Sequence, residues 1–217
     1  YMEGVLMNSL LKHHYELTGK KVVEALNKNR FKAEYADTKA EAVEAILKLI
    51  NPQDTVGMGG SITLDELSIG KLLQELGNTI FNHQGLPPAE AYNVRRKQLT
   101  SDVFIASSNA VTIDGEIINM DGSGNRVAAL TFGPKRVIVV VGANKIVKDE
   151  ADARRRIAMT AAPMNADRLN RKTPCVITGV CANCNSPERI CSVTSIMHKA
   201  PSASDFHVII VGEALGY

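Results

Sequence analysis

All four cysteines of the chain fall in one segment, Pro174 to Cys191, where Cys175, Cys181, Cys184 and Cys191 follow a C-x5-C-x2-C-x6-C spacing. Gly179, Asn183, Asn185, Ser186 and Pro187 lie among them, a turn-forming composition that predicts a loop rather than a buried strand or helix. Four thiolates in a loop can complete the ligand set of a structural zinc or hold an iron–sulfur cluster, and the central C-x2-C pair supplies the tight bite that both need. The spacing matches neither the two C-x2-C knuckles of a zinc ribbon nor the compact bacterial ferredoxin run. Three readings stand: a zinc or iron–sulfur centre on the four cysteines, reduced structural thiols, or a disulfide formed on oxidation.

A second set of residues has the makings of an anion site. Gly57, Gly59, Gly60, Ser61 and Thr63 lie between a short β-branched run and a helical pattern, where missing Cβ atoms let backbone N–H groups approach an anion at a helix N-terminus. The segment is neither a Walker loop nor a dinucleotide fingerprint. A capped strand-to-helix turn is the plainer alternative. Further along, Ser107, Ser108 and Asn109 precede a hairpin, and Asp121, Gly122, Gly124, Asn125 and Arg126 follow it. Asp121 could act as a base, Asn125 could donate an amide hydrogen bond, and Arg126 could grip a carboxylate or phosphate. A well hydrogen-bonded loop is the alternative there. Gly142, Asn144 and Lys145 follow the aliphatic run Val137 to Val141.

The elements that must position these groups read as alternating strands and helices. A helix is predicted over Glu3 to Asn29, and Thr38-Lys39-Ala40-Glu41 is a capping box ahead of an amphipathic helix stopped at Asn51-Pro52. Asp54 to Gly57 reads as a strand, and Thr63-x-x-Glu66 as the cap of one helix running to Gly77. Short β-branched runs at 79–81, 103–107, 137–141 and 207–211 complete a mainly parallel sheet covered by helices on both sides. Asp114-Gly115 predicts a two-residue hairpin turn between 111–113 and 116–118. A helix is predicted over Lys148 to Ala162. Ligands of open parallel sheets bind outside the C-terminal strand ends, so the Gly57 loop, the Ser107 segment and Asn144-Lys145 are expected to converge on one edge.

The 217 residues, 45% hydrophobic, suffice for a full core in one α/β domain. A net charge of +2 with 22% charged residues gives no reason to expect nucleic acid or an anionic membrane as partner. Arg154 to Arg156, Arg168 and Arg171 read as a solvated face or an interface, and His13, His14, His83, His198 and His207 as structural or surface residues. The longest aliphatic run cannot span a bilayer, and no signal-peptide core is evident near the N-terminus, so a cytoplasmic location is expected. Tyr1, ahead of Met2, carries no weight.

The segments VGMGGSITLDEL, SSNAVTIDGEIINMDGSGNRVAAL and FGPKRVIVVVGANKIV resemble the lactate-utilization (LUD) domain proteins, relatives of lactate-utilization protein C, and TPCVITGVCANCNSPERIC is similar to a cysteine-bearing subgroup of them. The resemblance runs from about Lys39 onward, leaving 1–38 as an N-terminal helical segment and 39–217 as the domain. It implies an α/β fold similar to glucosamine-6-phosphate deaminase, ribose-5-phosphate isomerase and the CoA-transferases. It also implies a link to lactate oxidation in company with iron–sulfur proteins. A small anionic metabolite, an iron–sulfur protein and further copies of the chain are the expected partners. Two other functions stay open. One is an isomerase- or CoA-transferase-like enzyme with Asp121 as base and Lys145 or Arg126 as electrophilic clamp. The other is a non-catalytic subunit of an iron–sulfur oxidoreductase assembly.

Overall fold

The computed structural model describes residues 2–217, so Tyr1 lies outside the described residues. In chain order the elements are α1 (Met2–Lys28), β1 (Lys32–Ala36), α2 (Lys39–Lys48), β2 (Thr55–Met58), α3 (Ile62–Glu66), α4 (Ile69–Glu75), β3 (Thr79–Asn82), α5 (Pro88–Gln98), β4 (Val103–Ser107), β5 (Ala110–Thr112), β6 (Ile117–Asp121), α6 (Asn125–Thr131), β7 (Arg136–Gly142), β8 (Ile146–Val147), α7 (Glu150–Arg156), α8 (Ala162–Arg168), α9 (Pro174–Thr178), β9 (Val193–Met197) and β10 (Asp205–Val211). Six parallel strands form the main sheet in the order β1-β10-β7-β4-β2-β3, as the alternation of strands and helices predicts. A smaller sheet, β8-β5-β6-β9, carries the hairpin.

Central strands of such a sheet are covered on both faces, which is why β7 reads as an unbroken aliphatic run. Ile138 and Val140 join Val56, Ile105 and Ile209 in a core under α2, α3 and α4. Val137, Val139 and Val141 point the other way, into a core with Val22 and Leu26 of α1, Leu130 of α6, and Val111 and Ile117 of the hairpin. The small sheet is therefore a second layer packed on the same core.

Several expectations change in detail. Residues 1–38 are more than a helical segment, because β1 forms the edge of the main sheet, pairing with β10 from Lys32↔His207 to Ala36↔Val211. Lys32 and Glu34 are exposed on that edge strand, while Ala33, Tyr35 and Ala36 pack toward the cores. The hairpin turn holds three residues: Thr112 N–H bonds Glu116 O, Gly115 N–H bonds Thr112 O, and Gly115 alone adopts positive φ, at 78°. That is the three-residue loop with a left-handed closing glycine. The helix expected to run from Thr63 to Gly77 breaks into α3 and α4 at Ser68, whose φ is 53°.

The helix expected to end at Ala162 continues through a π-helical stretch, Ile157–Ala161, into α8. Pro163 accounts for the widened turn. In the π register Ala162 N–H bonds Ile157 O, and Pro163 has no N–H to offer Ala158 O. The amide of Cys181 fills that position at 2.9 Å, tying the cysteine segment to the helix. No helix among the described residues is long and apolar enough to cross a membrane.

Candidate functional site

Because all six strands of the main sheet run parallel, their C-terminal ends share one edge. The segments that leave β2, β3, β4, β7 and β10 there surround a cavity of about 740 Å³. On its wall Lys145 Nζ donates to Thr63 Oγ1 at 2.7 Å and to Ser107 Oγ at 3.0 Å. The expected convergence of the glycine segment, the Ser107 segment and Lys145 is therefore present, and it is made by side chains. Lys145 is 4% exposed. Burial pushes its amine down to about 7, with the nearby charges of Arg156 and Arg126 acting in the same direction and Glu66 opposing them.

Thr63 reaches Lys145 because it sits inside α3 rather than capping it. Ser61 occupies the N-cap position, without a side-chain cap bond, and Thr63 is the second residue of the helix and buried. Gly60, Ser61, Thr63, Ser107, Ser108, Asn109, Asp121, Gly122, Asn125, Arg126 and Lys145 all line the cavity. Gly57, Gly59, Gly124, Gly142 and Asn144 do not: Gly57, Gly59 and Gly142 sit in close packing, and Gly124 takes the left-handed N-cap position of α6 at φ 79°. A Cβ on Gly57 would stand 2.9 Å from Ser101 Oγ and 3.1 Å from Gln98 Cα, so this glycine lets α5 sit against β2. Asn144 clips the last segment, donating to Gly216 O and accepting from Leu215 N–H, both at 3.1 Å.

Arg126, on the first turn of α6, is the hub of one wall. Its Nε donates to Asp121 Oδ1 at 3.0 Å, Nη1 to Ser107 O at 2.9 Å and to Asn119 Oδ1, and Nη2 to Asn109 Oδ1 at 2.9 Å and Met120 O at 3.0 Å. A guanidinium has five N–H groups, so none is left to take a ligand. Asp121 is equally committed, accepting from Val127 N–H at 3.0 Å through its other oxygen. The pair holds the hairpin exit against α6. In this arrangement Asp121 is an anchor for Arg126 rather than a free base.

Residues that the sequence reading left aside complete the cavity. His83, read as structural, follows β3 on the same edge and lines the cavity. Its Nδ1 stands 3.0 Å from Gln98 Nε2, a donor also shared with Met58 O and Phe81 O. The His83 ring is thus seated against the amide end of Gln98. Burial lowers its pKa, Arg95 lowers it further and Asp121 opposes them, so it is neutral at pH 7. Gln84 and Arg95 stand beside it, and Gln84 Nε2 and Arg95 Nε are buried without a hydrogen-bond partner among the described residues. Arg168 and Arg171, read as a solvated face or an interface, also line the cavity with Tyr217, which donates to Asn165 Oδ1 at 2.7 Å. His83 and Gln84 were findable by the strand-end rule applied to the Ser107 segment. Arg95 was not, because α5 has no apolar periodicity to announce it.

The cysteine segment forms part of the rim through Ile190, packed on Gly122. Cys175 Sγ pairs with Thr173 Oγ1 at 3.2 Å, and Cys181 Sγ accepts from Asn183 N–H at 3.4 Å. Arg189 donates to the carbonyls of Cys184 and Cys191, each at 2.7 Å, and lies 3.5 Å from Cys191 Sγ. Among the described residues no group of three or more His, Cys, Asp or Glu is placed to hold a metal ion. The four thiols are free and are not gathered into one ligand set in this arrangement.

The family model for the LUD domain matches residues 19–211, which takes in both sheets and every cavity-lining segment but the last. The chain belongs to the LUD domain family. A solved structure of a DUF162 family protein from Deinococcus radiodurans is similar to this LUD domain, with a TM-score of 0.52 at 14% identity over 91% of this chain and 97% of that one. At that identity the likeness concerns the fold. No curated protein matches the chain.

Proposed function

We propose that this LUD domain binds a small anionic metabolite in the cavity at the C-terminal edge of its parallel sheet. The observation that carries the reading is the imbalance of charge there. Asp121 is the one Asp or Glu side chain among the lining residues, and Arg126 already neutralises it. Arg95, Arg168, Arg171 and Lys145 have no carboxylate to answer them among the cavity's lining residues, and Arg95 Nε has no hydrogen-bond partner among the described residues. A buried, unpaired guanidinium N–H is costly unless a ligand meets it. A carboxylate or phosphate would do so with a charge-assisted hydrogen bond. The family's link to lactate utilization makes hydroxy and oxo carboxylates the first candidates.

Calorimetric titration with lactate, pyruvate, glyoxylate, inorganic phosphate and ribose 5-phosphate, on the wild type and on Arg95→Gln, tests this. We expect one class of anion to bind, more weakly at high salt, and Arg95→Gln to reduce its affinity by about tenfold to a hundredfold, as loss of a charged hydrogen bond predicts. Its melting temperature should hardly change, because among the described residues only Arg95 Nε is buried on this guanidinium and it has no hydrogen-bond partner to lose. Failure of every anion to bind, or binding indifferent to both salt and Arg95, would refute the proposal.

A second reading, an isomerase- or CoA-transferase-like enzyme acting on a phosphorylated or CoA-linked substrate, draws support from two nitrogen bases on the same cavity, Lys145 and His83, whose pKa values both lie below their ordinary ones. Perturbed titratable groups in a cleft are a mark of catalytic sites.

A further inference from the structure

We infer that Lys145 is a covalent amine, condensing through Nζ with the carbonyl carbon of a ligand whose anionic group is held by the cavity's arginines. The inference rests on the anion-binding reading and adds a ligand class to it: anionic carbonyl compounds, of which 2-oxo acids are the smallest.

The hydrogen-bond pattern at Nζ leads to this role. Thr63 Oγ1 donates its own proton to Leu215 O, and Ser107 Oγ donates to Ser108 O, each at 3.4 Å, so both hydroxyl oxygens accept from Lys145. A neutral amine has two N–H groups and one lone pair, and here both N–H groups are used. The lone pair takes the remaining tetrahedral position on a group that lines the cavity. The two hydroxyls hold the amine in one orientation, as a nucleophile requires. Desolvation beside other cations is a known way to keep a lysine amine nucleophilic at neutral pH, and Arg126 and Arg156 supply the cations here.

A base alone would not call for this arrangement. His83 is already neutral on the same cavity and could take a proton without the desolvation of a lysine. What an amine can do and an imidazole does not readily do is form an imine. The step balances without an oxidant or reductant. Nζ attacks the carbonyl carbon, the C–N bond forms as the C–O π bond opens, and the carbonyl oxygen leaves as water with the two amine hydrogens. Thr63 and Ser107, hydrogen-bonded to Nζ, are placed to pass those protons. The ligand's anionic group would face Arg95, whose free Nε lies on the same cavity.

The test is reductive trapping. The full chain is incubated with glyoxylate or pyruvate and cyanoborohydride near neutral pH, then examined by intact mass and peptide mapping. With the amine brought to about 7, its neutral fraction at pH 7 is about a thousandfold that of an ordinary lysine. We expect one adduct, at Lys145, formed at least about tenfold faster than at any surface lysine after allowing for restricted access. Propanal, which has a carbonyl but no anionic group, should label Lys145 more slowly, and Lys145→Met should lose the adduct. The adduct's position in the wild type decides the matter even if that variant fails to fold. Labelling spread evenly over surface lysines would overturn the inference, and so would ligand deuterium exchange without trapping, which would make Lys145 a base. If pyruvate binds by calorimetry but is not trapped, the covalent inference alone falls; if no anion binds, the site reading falls with it.

Discussion

Replacing Lys145 by methionine keeps the length of the side chain and removes its titration, so the difference in stability between the two proteins should depend on pH. The drop from the ordinary 10.5 to about 7, at about 1.4 kcal/mol per pH unit, sets an upper bound of roughly 5 kcal/mol. The sign follows from proton binding. Between about 7 and 10.5 the unfolded chain holds the Lys145 proton and the folded chain does not, so wild-type stability rises with pH across that window. Below it both states are charged, and the full penalty of burying the ammonium stands. Methionine carries no such penalty, although it leaves the Thr63 and Ser107 hydroxyls without their amine at every pH. Urea unfolding of both proteins from about pH 6 to pH 10 should show wild-type stability gaining about 2 to 5 kcal/mol on the variant as pH rises, with the other titrations cancelling in the difference. A difference that stays flat within about 1 kcal/mol would mean that Lys145 titrates as an ordinary lysine, and the chemistry assigned to it would lose its electrostatic basis.

Two further substitutions test the scaffold around the cavity. Arg126→Gln should destabilise the domain by about 3–5 kcal/mol in urea unfolding, because it leaves Asp121 buried without its partner; a loss below about 1 kcal/mol would show that the hub is not structural. Gly115→Ala should cost at least about 2 kcal/mol, seen as a lower melting temperature, since its φ is 78° and a Cβ would stand 2.6 Å from the Ala25 carbonyl carbon.

Local chemistry made much of the fold legible in the sequence. Thr38 caps α2, accepting from Glu41 N–H at 3.2 Å, while Glu41 reaches back to Asp37 N–H at 2.9 Å. Turn chemistry set the hairpin, and uninterrupted aliphatic character marked β7, because both signals arise from neighbours in the chain. Parallel strand order then required the Ser61, Ser107 and Lys145 segments to meet at one edge.

What local chemistry could not reach was decided by contacts between distant residues. β1 looks unlike a strand until β10 pairs with it, and Asp121 and Arg126 look like free catalytic groups until the hairpin and α6 close around them. Arg95 and His83 look like ordinary polar residues until β3 and α5 bring them to the cavity wall. The sequence by itself determined which residues could carry charge or donate a hydrogen bond. The tertiary structure decided which of those groups were already paired and which were left facing the cavity. Pairing depends on where the rest of the chain puts its partners, and the lysine amine and the unpartnered arginine acquire their chemistry from that burial.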